Sequence, residues 1–266
     1  GFELTLGWRD QVGKVNYGVK AMLSNYKGVV TRYPNPKGLL NNWYVGEQMG
    51  SILGYTSVGY FKDAADVAAS PSQSGIYTKW GAGDIKYKDL NKDGKINYGD
   101  ATLSNMGDLS VIGNSTPQEA YSGRADASWN GFDASGFVQG IAKRDAYLSS
   151  NYFFGIVGSE WQSSPFTTNL DRWTPQTPNG YFPKFYMSGE NSKNQTPNGY
   201  AQTKYLLNAA YMRIKNVTLG YTLPKELFSR IGIQKLRFFV SIDNLATFSP
   251  MYKHSTLDPG LSIADA

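Results

Sequence analysis

A twelve-residue stretch of the chain, residues 89–100, has the oxygen-donor spacing of a calcium-binding loop. Its sequence, DLNKDGKINYGD, fits the pattern D-x-[DN]-x-[DN]-G, in which positions 1, 3 and 5 offer side-chain oxygens and the glycine at position 6 permits a sharp turn. Calcium is a hard cation that prefers oxygen ligands of this kind. The candidate metal-binding residues are Asp89, Asn91, Asp93, Lys95 through its backbone carbonyl, Asn97 through a water molecule, and Asp100.

Two features of this loop define the role that calcium would have. Asp100 at position 12 is shorter than the usual glutamate, so contact by both of its oxygens requires a tighter loop. The flanking residues predict a strand and a loop rather than two helices, which argues against a sensor and favours a structural role. The alternative is an ordinary turn that binds no ion, because Asn, Asp and Gly also dominate turns.

Other kinds of reactive site have little support. The chain has no cysteine and a single histidine, His254, so disulfides, Cys-metal sites and His-rich metal centres are excluded. His254 lies between Lys253 and Ser255, and we expect it to be an ordinary surface residue. The Asp and Glu residues are scattered and no catalytic motif surrounds them, so we predict that the chain is not an enzyme.

The composition of the 266-residue chain indicates an all-β protein. Gly (29), Tyr (19) and aromatic residues overall (14%) are frequent, and apolar residues make up 41%. This mixture is typical of β-proteins with many turns and aromatic girdles. The net charge of +5 is not concentrated in a basic run, so no nucleic-acid partner is expected. No apolar run of about 18 residues is present, so no transmembrane helix is predicted.

Five segments alternate between apolar and polar residues, which is the pattern of strands with one apolar and one polar face, and a sixth, residues 132–143, is rich in glycine and less clear in phase. In the first of them, Phe2, Leu4, Leu6 and Trp8 share a face. Several segments are about as long as the ~9–11 residues that cross a bilayer at a tilt. We predict strands at residues 1–9, 14–24, 118–129, 132–143, 211–223 and 235–245.

The connections between these strands alternate between short turns and the long irregular stretches 25–117 and 144–210. Outer-membrane barrels have this asymmetry, with short periplasmic turns and long extracellular loops. Trp8, Trp129 and Tyr221 stand at the short-turn ends, where an interfacial aromatic girdle belongs. A soluble β-sandwich with aromatic core residues is the alternative.

Six strands are too few to close a transmembrane barrel, for which the minimum is about eight. The alternation is already under way at Gly1, which we interpret as a cut edge within a longer protein. We therefore predict an antiparallel transmembrane segment of a larger barrel. The polar faces would line its lumen, and we expect their charged residues to form structural ion pairs rather than to bind substrate: Arg124, Asp126, Arg237 and Asp243.

Tryptophans in the long loops are candidate substrate-binding residues, because aromatic rings stack on sugar rings. These residues are Trp43, Trp80, Trp161 and Trp173. The alternative, which the loop setting favours, is that they pack the loops together or against a partner.

Several stretches together resemble the C-terminal portion of SusC/RagA-type TonB-dependent outer-membrane transporters. They occur in the family's order and cover most of the chain: GFELTLGWRD, KVNYGVKAMLSNYKGVV, NNWYVGEQMGSILGYTSVGYF, GDIKYKDLNKDGKINYGDATL, VIGNSTPQEAYSGRADASWNGFDASGFVQGIAKRD, DRWTPQTPN and YMRIKNVTLGYTLPKELFSRIGIQKLRFFVSIDNLATFSP. The segments YMRIKNVTLGYTLP and DLNKDGKI are the most specific of these.

The resemblance implies a barrel of about 22 strands in the outer membrane, filled by an N-terminal plug, that imports glycans (oligosaccharides) or peptides. It also implies a SusD-like surface lipoprotein as partner, outer-membrane lipid around the wall, and energy supplied by the TonB complex through an N-terminal box. Plug, TonB box and final strand are expected to be absent from this chain. The alternative function, from a different class, is a soluble calcium-stabilised all-β carbohydrate-binding module.

Overall fold

The computed structural model describes residues 1–155, 165–186, 192–195, 200–227 and 232–261. The chain divides into two compact units. The wall unit consists of Gly1–Lys27, Pro117–Arg144 and Asn208–Tyr252, and the loop unit consists of Gly28–Thr116, Asp145–Leu207 and Lys253–Ala266.

Strands dominate the described residues. In chain order they are β1 (Phe2–Val12), β2 (Val15–Asn25), β3 (Ser51–Tyr55), β4 (Ser57–Tyr60), β5 (Ile85–Tyr87), β6 (Leu109–Asn114), β7 (Gln118–Trp129), β8 (Phe132–Lys143), β9 (Asp145–Tyr147), β10 (Ala201–Gln202), β11 (Leu206–Asn208), β12 (Tyr211–Thr222) and β13 (Arg237–Phe248). The α-helices are short: α1 (Ala64–Ala69), α2 (Asn151–Phe154) and α3 (Ser192–Gln195). Single 3₁₀ turns lie at Thr167–Leu170, Thr203–Tyr205, Lys225–Leu227 and Pro250–Lys253.

The wall unit is one antiparallel sheet of six strands in the order β1-β2-β7-β8-β12-β13. Each strand is 11 or 12 residues long. The predicted all-β, antiparallel fold is confirmed. Because the strands pair in sequence order, both long connections, β2 to β7 and β8 to β12, start and end at the same end of the sheet.

The two shortest turns of the wall show why its register is fixed. Asn130 and Gly131 both have positive φ angles, of 45° and 87°, which is the backbone of a two-residue hairpin turn. The predicted Asn-Gly turn is thus present. At the first hairpin the prediction ended the strand at residue 9. In the structure Val12 pairs with Val15, so the strand runs three residues further and the turn is only two residues long.

One irregularity interrupts the wall at Lys215. The register of β12 shifts between Ile214 and Asn216 against both β8 and β13, as an extra residue in a strand requires. The shift keeps Ile214 and Val217 on the same face, although they are three positions apart and regular alternation would place them on opposite faces. β13 is also longer at its end than predicted, reaching Phe248 instead of residue 245.

The loop unit corrects the prediction that residues 25–117 and 144–210 are irregular loops. They contain three small sheets, with strand orders β10-β3-β6, β11-β9 and β4-β5. These strands are two to six residues long, too short for an alternating pattern to stand out in the sequence. Their aromatic and aliphatic side chains form a buried core that includes Tyr55, Phe61, Ile85, Tyr87, Ile96, Phe154 and Tyr205.

Candidate functional site

The register places apolar side chains of all six wall strands on one face of the sheet. Directly opposed pairs on this face include Leu6 with Ala21, Leu219 with Val240, and Val217 with Ile242. The side chains on this face are largely exposed, with Leu6 at 62%, Leu219 at 61% and Val240 at 68%. Burying one such side chain stabilises a protein by about 1.5–3 kcal/mol, so a face of this size calls for an apolar covering.

Aromatic side chains cluster at the short-turn end of this apolar face. Trp129 pairs with Phe132 at the end of one hairpin, and Tyr221 pairs with Phe238 on the next two strands. The rings of Phe132 and Tyr221 are in contact, with centroids 4.4 Å apart. Trp8 lies towards the same end of β1. Amphipathic rings in such a row suit the boundary between hydrocarbon and water.

The opposite face of the wall is polar and carries ion pairs. Arg9 Nη2 lies 3.3 Å from Asp126 Oδ2, and Arg124 Nε lies 4.0 Å from Asp126 Oδ1. Arg237 Nε donates to Asp133 Oδ1 at 2.9 Å, and a second guanidinium nitrogen contacts the other carboxylate oxygen. Exposed ion pairs of this kind contribute about 0–1 kcal/mol each to stability. Their role is therefore to fix the positions of the charged side chains on the polar face, and they add little to the stability of the fold.

The four residues that were expected to line the lumen have different partners. Arg124 and Asp126 pair with each other, as predicted for structural ion pairs. Arg237 pairs with Asp133, a partner that the sequence did not indicate because the two residues come together only through β12. Asp243 accepts a hydrogen bond from Asn216 Nδ2 at 2.7 Å, and it forms no ion pair with any of the described residues.

The two outer strands of the wall each have one sheet neighbour among the described residues, β2 for β1 and β12 for β13. Their other edges present rows of backbone N–H and C=O groups. In hydrocarbon such groups must be paired with further strands, since water is absent. The free edges of β1 and β13 are therefore the places at which further strands would pair with the wall.

In the loop unit, the first half of the predicted calcium loop closes around the carboxylate of Asp89. Its Oδ1 accepts a hydrogen bond from Lys92 N at 2.6 Å, and its Oδ2 accepts one from Gly94 N at 2.9 Å. Gly94 has a φ of +80°, a conformation that glycine adopts without cost. The backbone therefore makes the sharp turn that position 6 of a calcium loop requires.

The next side-chain oxygens of the loop also accept hydrogen bonds from backbone N–H groups nearby. Asn91 Oδ1 accepts from Asp93 N at 3.1 Å, and Asp93 Oδ1 accepts from Lys95 N at 2.8 Å. Asn97 Oδ1 accepts from Gly99 N at 2.7 Å. Ile96 is fully buried, so position 8 anchors the loop in the core, as expected.

Asp100 stands at position 12 of the predicted calcium loop. Its Oδ2 accepts a hydrogen bond from Asn105 Nδ2 at 2.9 Å. Among the residues that the structure describes, no three His, Cys, Asp or Glu side chains lie close enough together to share a metal ion. The calcium ligands predicted from the sequence, Asp89, Asn91, Asp93, Lys95, Asn97 and Asp100, therefore stay a prediction.

Asp108 is a residue of this site that the sequence analysis missed. It is fully buried, and its two carboxylate oxygens accept hydrogen bonds from Leu90 N at 2.7 Å and from Asn97 N at 2.9 Å. It thereby ties both ends of the donor-bearing segment together. Its position beyond the twelve-residue pattern gave no signal of this role.

The structure describes three of the four candidate tryptophans, Trp43, Trp80 and Trp173. Trp43 is exposed, at 42%. Trp80 is packed edge-on to Phe61 and Tyr87, with ring centroids 6.3 Å away in each case, and its Nε1 donates to the carbonyl of Tyr77 at 2.8 Å. These contacts favour packing over sugar stacking for Trp80.

Trp173 adds no second exposed ring to Trp43. The ring of Trp173 lies so close to Gly83 that a Cβ at that position would clash with it. The prediction for Trp161 lies outside the described residues. Trp43 is thus the one exposed ring among the three candidates that the structure describes.

A buried ion pair joins distant parts of the loop unit. Lys193 Nζ lies 3.0 Å from Asp84 Oδ2, and both side chains are almost inaccessible to solvent. Asp84 also accepts hydrogen bonds from Gly81 N and from Asn194 Nδ2. The Lys193 ammonium lies 3.7 Å from the ring centroid of Tyr186. A buried ion pair avoids destabilising the fold only when both charged groups also have hydrogen-bonding partners, as Asp84 and Lys193 have here.

His254 is not the ordinary surface residue that its polar neighbours predicted. Its ring stacks on Tyr181 with centroids 3.6 Å apart and an interplanar angle of 5°. Partial burial, followed by the nearby charge of Lys253, lowers the pKa of His254 below its usual value. The contact spans more than seventy residues, so local sequence could not reveal it.

None of the described helices is long and apolar enough to cross a membrane. No protein-family model matches the chain. Among curated proteins, it is similar to TonB-dependent receptor P26 of Formosa agariphila, with 26% identity over 208 residues, 77% of this chain and 19% of that receptor. TonB-dependent receptor P3 of the same organism is 26% identical over 204 residues, 77% of this chain and 18% of that receptor.

Solved structures show the same relation at the level of fold. A chain of the RagAB peptide importer in its open-open state matches 92% of this chain with a TM-score of 0.62 and 20% identity, using 24% of its own length. In the closed-closed state the TM-score is 0.59 and the identity 19%. The resemblance to TonB-dependent transporters is thereby confirmed, and the chain spans about a fifth of the length of the curated relatives it matches.

Proposed function

We propose that this chain forms part of the barrel wall and the extracellular loops of an outer-membrane importer of the SusC/RagA type. The observation that carries the proposal is the exposed apolar face that runs across all six strands of an antiparallel sheet, with a polar face behind it. A wall between lipid and an aqueous lumen needs this division. The unpaired outer edges of β1 and β13 would be met by further strands of the same barrel.

The remaining features of the proposed importer rest on its relatives. Their names, TonB-dependent receptor and RagAB peptide importer, support an uptake function energised through the TonB complex. The RagAB relation also supports a surface lipoprotein of the SusD type as partner. The substrate would be an oligosaccharide or a peptide. These relatives are receptors and importers, which is consistent with a protein that is not an enzyme.

The rival function is a soluble, calcium-stabilised carbohydrate-binding module. A soluble β-sandwich buries the apolar faces of its strands against a second sheet. In this chain Leu6, Leu219 and Val240 stay more than half exposed. That exposure favours the importer, because a soluble protein would leave a large apolar patch facing water.

Fractionation of cells that express the full-length protein containing this chain tests the proposal. The protein should be recovered in the outer-membrane fraction, require detergent for extraction, and migrate differently on gels before and after heating, as folded barrels do. Recovery as a monodisperse soluble protein would overturn the proposed function.

We also propose that residues 89–100 bind calcium and stiffen the loop unit. Asp89, Asn91 and Asp93 would supply side-chain oxygens and Lys95 its carbonyl, on a loop whose backbone already has the required turn. The ion would supply positive charge to a segment held by Asp108. No catalytic step depends on it.

Calcium is expected to protect this loop from proteolysis. At a free calcium concentration about a hundred times the dissociation constant, bound ion stabilises the folded loop by about 2.7 kcal/mol. Limited proteolysis of the full-length protein with calcium and with chelator measures the cleavage rate between residues 84 and 108. Cleavage should accelerate on chelation in the wild-type protein.

Two variants separate binding from other effects of the chelator. Asp93→Ala should cleave fast under both conditions, because it removes a ligand. Lys92→Gln, which changes a neighbouring side chain that supplies no ligand, should behave as wild type. Equal wild-type cleavage rates with and without calcium, or calorimetry that detects no calcium binding, would contradict the calcium proposal.

A further inference from the structure

The polar face of the wall has a hollow of about 490 Å³ on strands β1, β2 and β7. Its floor contains two glycines, Gly7 and Gly18, which lie on the polar face of neighbouring strands. Gly18 is buried although the residues on either side of it in β2 are partly or largely exposed. Two positions without side chains thus leave space in the sheet surface. Charged side chains surround this space: Arg9, Lys20, Arg124 and Asp126.

The register places two cations of the hollow directly opposite each other. Lys20 of β2 pairs with Arg124 of β7. Arg9 of β1 pairs with Gly18 and so lies diagonally from Lys20 on the same face. Like charges directly opposite each other on neighbouring strands are destabilising. The pair of Lys20 and Arg124 would therefore be stabilised by an anion between the two side chains.

The carboxylate at the hollow, Asp126, is already shared by the two arginines. Its Oδ2 lies 3.3 Å from Arg9 Nη2, and its Oδ1 lies 4.0 Å from Arg124 Nε. The second distance is too long for a hydrogen bond, so Arg124 keeps donors for another acceptor. Within the part of the chain that the structure describes, no carboxylate pairs with Lys20. Among the described residues that line the hollow, three cations thus share one carboxylate.

The glycine at position 18 keeps Asp126 on the side of Arg9. A Cβ at this position would lie 3.1 Å from Arg9 Nε and 3.2 Å from Asp126 Oδ1, so a larger residue would disturb their contact. With Asp126 held there, the space between Lys20 and Arg124 is the most cationic part of the hollow.

We propose that the hollow binds a carboxylate group between Lys20 and Arg124. One oxygen would accept from the ammonium of Lys20 and the other from the guanidinium of Arg124, as charge-assisted hydrogen bonds. Binding would relieve the repulsion between the two cations. The inference rests on the proposed function in one respect: an aqueous lumen gives solutes access to the polar face.

Two sources can present a carboxylate at this face of an importer. One is the imported solute, which would then be an acidic oligosaccharide or an acidic peptide. The other is an Asp or Glu side chain from elsewhere in the longer protein. The chemistry at Lys20 is the same for both sources, so the experiment has to distinguish them.

The rate at which acetic anhydride acetylates Lys20 in the detergent-purified full-length protein tests the inference. The reagent attacks neutral amines, and a bound carboxylate keeps the amine of Lys20 in its charged form. Mass spectrometry gives the rate at Lys20 and at Lys14, an exposed lysine in the turn between β1 and β2 that serves as the reference. If a solute is the source, glutarate should slow acetylation of Lys20 about tenfold relative to Lys14. The neutral analogue glutaramide should have no effect.

Two variants test whether Arg124 completes the site. Arg124→Gln should abolish the protection of Lys20 by glutarate. Arg237→Gln removes a guanidinium that pairs with Asp133 outside the hollow, and it should leave the protection unchanged. The comparison of glutarate with glutaramide uses the wild-type protein, so it remains informative if Arg124→Gln does not fold.

A carboxylate of the protein itself gives a different result. Lys20 should then react slowly with and without glutarate, and a carbodiimide should join it to an Asp or Glu other than Asp126. The carbodiimide activates the carboxylate, the Lys20 amine attacks the activated carbon to form an amide, and the reagent leaves as a urea. The peptide joined to Lys20 identifies the carboxylate.

Three outcomes would overturn the inference. In the first, Lys20 is acetylated as fast as Lys14 with and without glutarate. In the second, glutaramide protects Lys20 as well as glutarate does, or protection persists in Arg124→Gln. In the third, Lys20 is slow without glutarate and the carbodiimide joins it to no carboxylate other than Asp126.

The fractionation experiment fails independently of this one. Protection of Lys20 by glutarate in a soluble protein would overturn the importer alone. An outer-membrane protein with an unprotected Lys20 would overturn the carboxylate site alone.

Discussion

Replacing Leu6 with arginine is expected to destabilise the membrane-inserted protein by about 2–4 kcal/mol. Leu6 lies near the middle of β1 on the apolar face and pairs with Ala21. If this face contacts hydrocarbon, the guanidinium must be desolvated or must drag water and headgroups to the middle of the bilayer. The free energy of unfolding of the full-length protein in phospholipid vesicles, from a urea titration followed by tryptophan fluorescence, measures the loss.

The neighbouring residue provides a matched control for this substitution. Thr5 lies on the polar face, opposite Met22, and Thr5→Arg introduces the same side chain one residue away. Towards an aqueous lumen it should change the free energy of unfolding by only about 0.5 kcal/mol. Equal losses for the two variants, or a larger loss for Thr5→Arg, would show that Leu6 does not face lipid.

Replacing Lys193 with methionine is expected to cost about 3–5 kcal/mol of stability in the loop unit. The change removes the ammonium that lies 3.0 Å from Asp84 Oδ2 and leaves a carboxylate without a cation in the core. Lys193 Nζ also donates to the carbonyl of Lys79 at 3.0 Å, a bond that methionine cannot replace. Local opening can be followed by the rate of thermolysin cleavage between residues 73 and 87.

Lys86 supplies the comparison for the buried pair. It lies 2.7 Å from Asp66, but both side chains are partly exposed, so Lys86→Met should cost no more than about 1 kcal/mol. Combining Lys193→Met with Asp84→Asn should recover part of the loss, because no charge then remains unpaired in the core. A Lys193→Met protein that resists thermolysin as wild type does would refute a stabilising role for this pair.

The wall could be predicted from the sequence because its strands and turns are determined by residues that are close together in the chain. Most strands have a period of two over 11 or 12 residues, and Asn130-Gly131 has the residue types that a tight turn demands. The same holds for the first half of the calcium loop, where Asp89 and Gly94 lie within one turn of each other. In these segments the residues that determine the structure are also neighbours in the sequence.

The remaining structure depends on contacts between distant residues. Asp84 meets Lys193 across more than a hundred residues, and Tyr181 meets His254 across more than seventy. No periodicity marks such pairs, and strands of two to six residues carry too little pattern to be recognised. The bulge at Lys215 is marked in the sequence only by a change in the parity of the apolar positions, from Met212 and Ile214 to Val217 and Leu219, which the strand prediction did not use.

The central claim, that one face of the wall contacts lipid and the other an aqueous lumen, is tested most directly along β12. The chain has no cysteine, so spin labels can be attached to single cysteines at successive positions of the full-length protein, with any others removed, in lipid bilayers. Oxygen, which concentrates in hydrocarbon, should relax labels at Met212, Ile214, Val217, Leu219 and Tyr221, and a water-soluble nickel chelate should relax those between them. The phase should break once, at Lys215. Equal accessibility along the strand, or nickel access at the apolar positions, would contradict the claim.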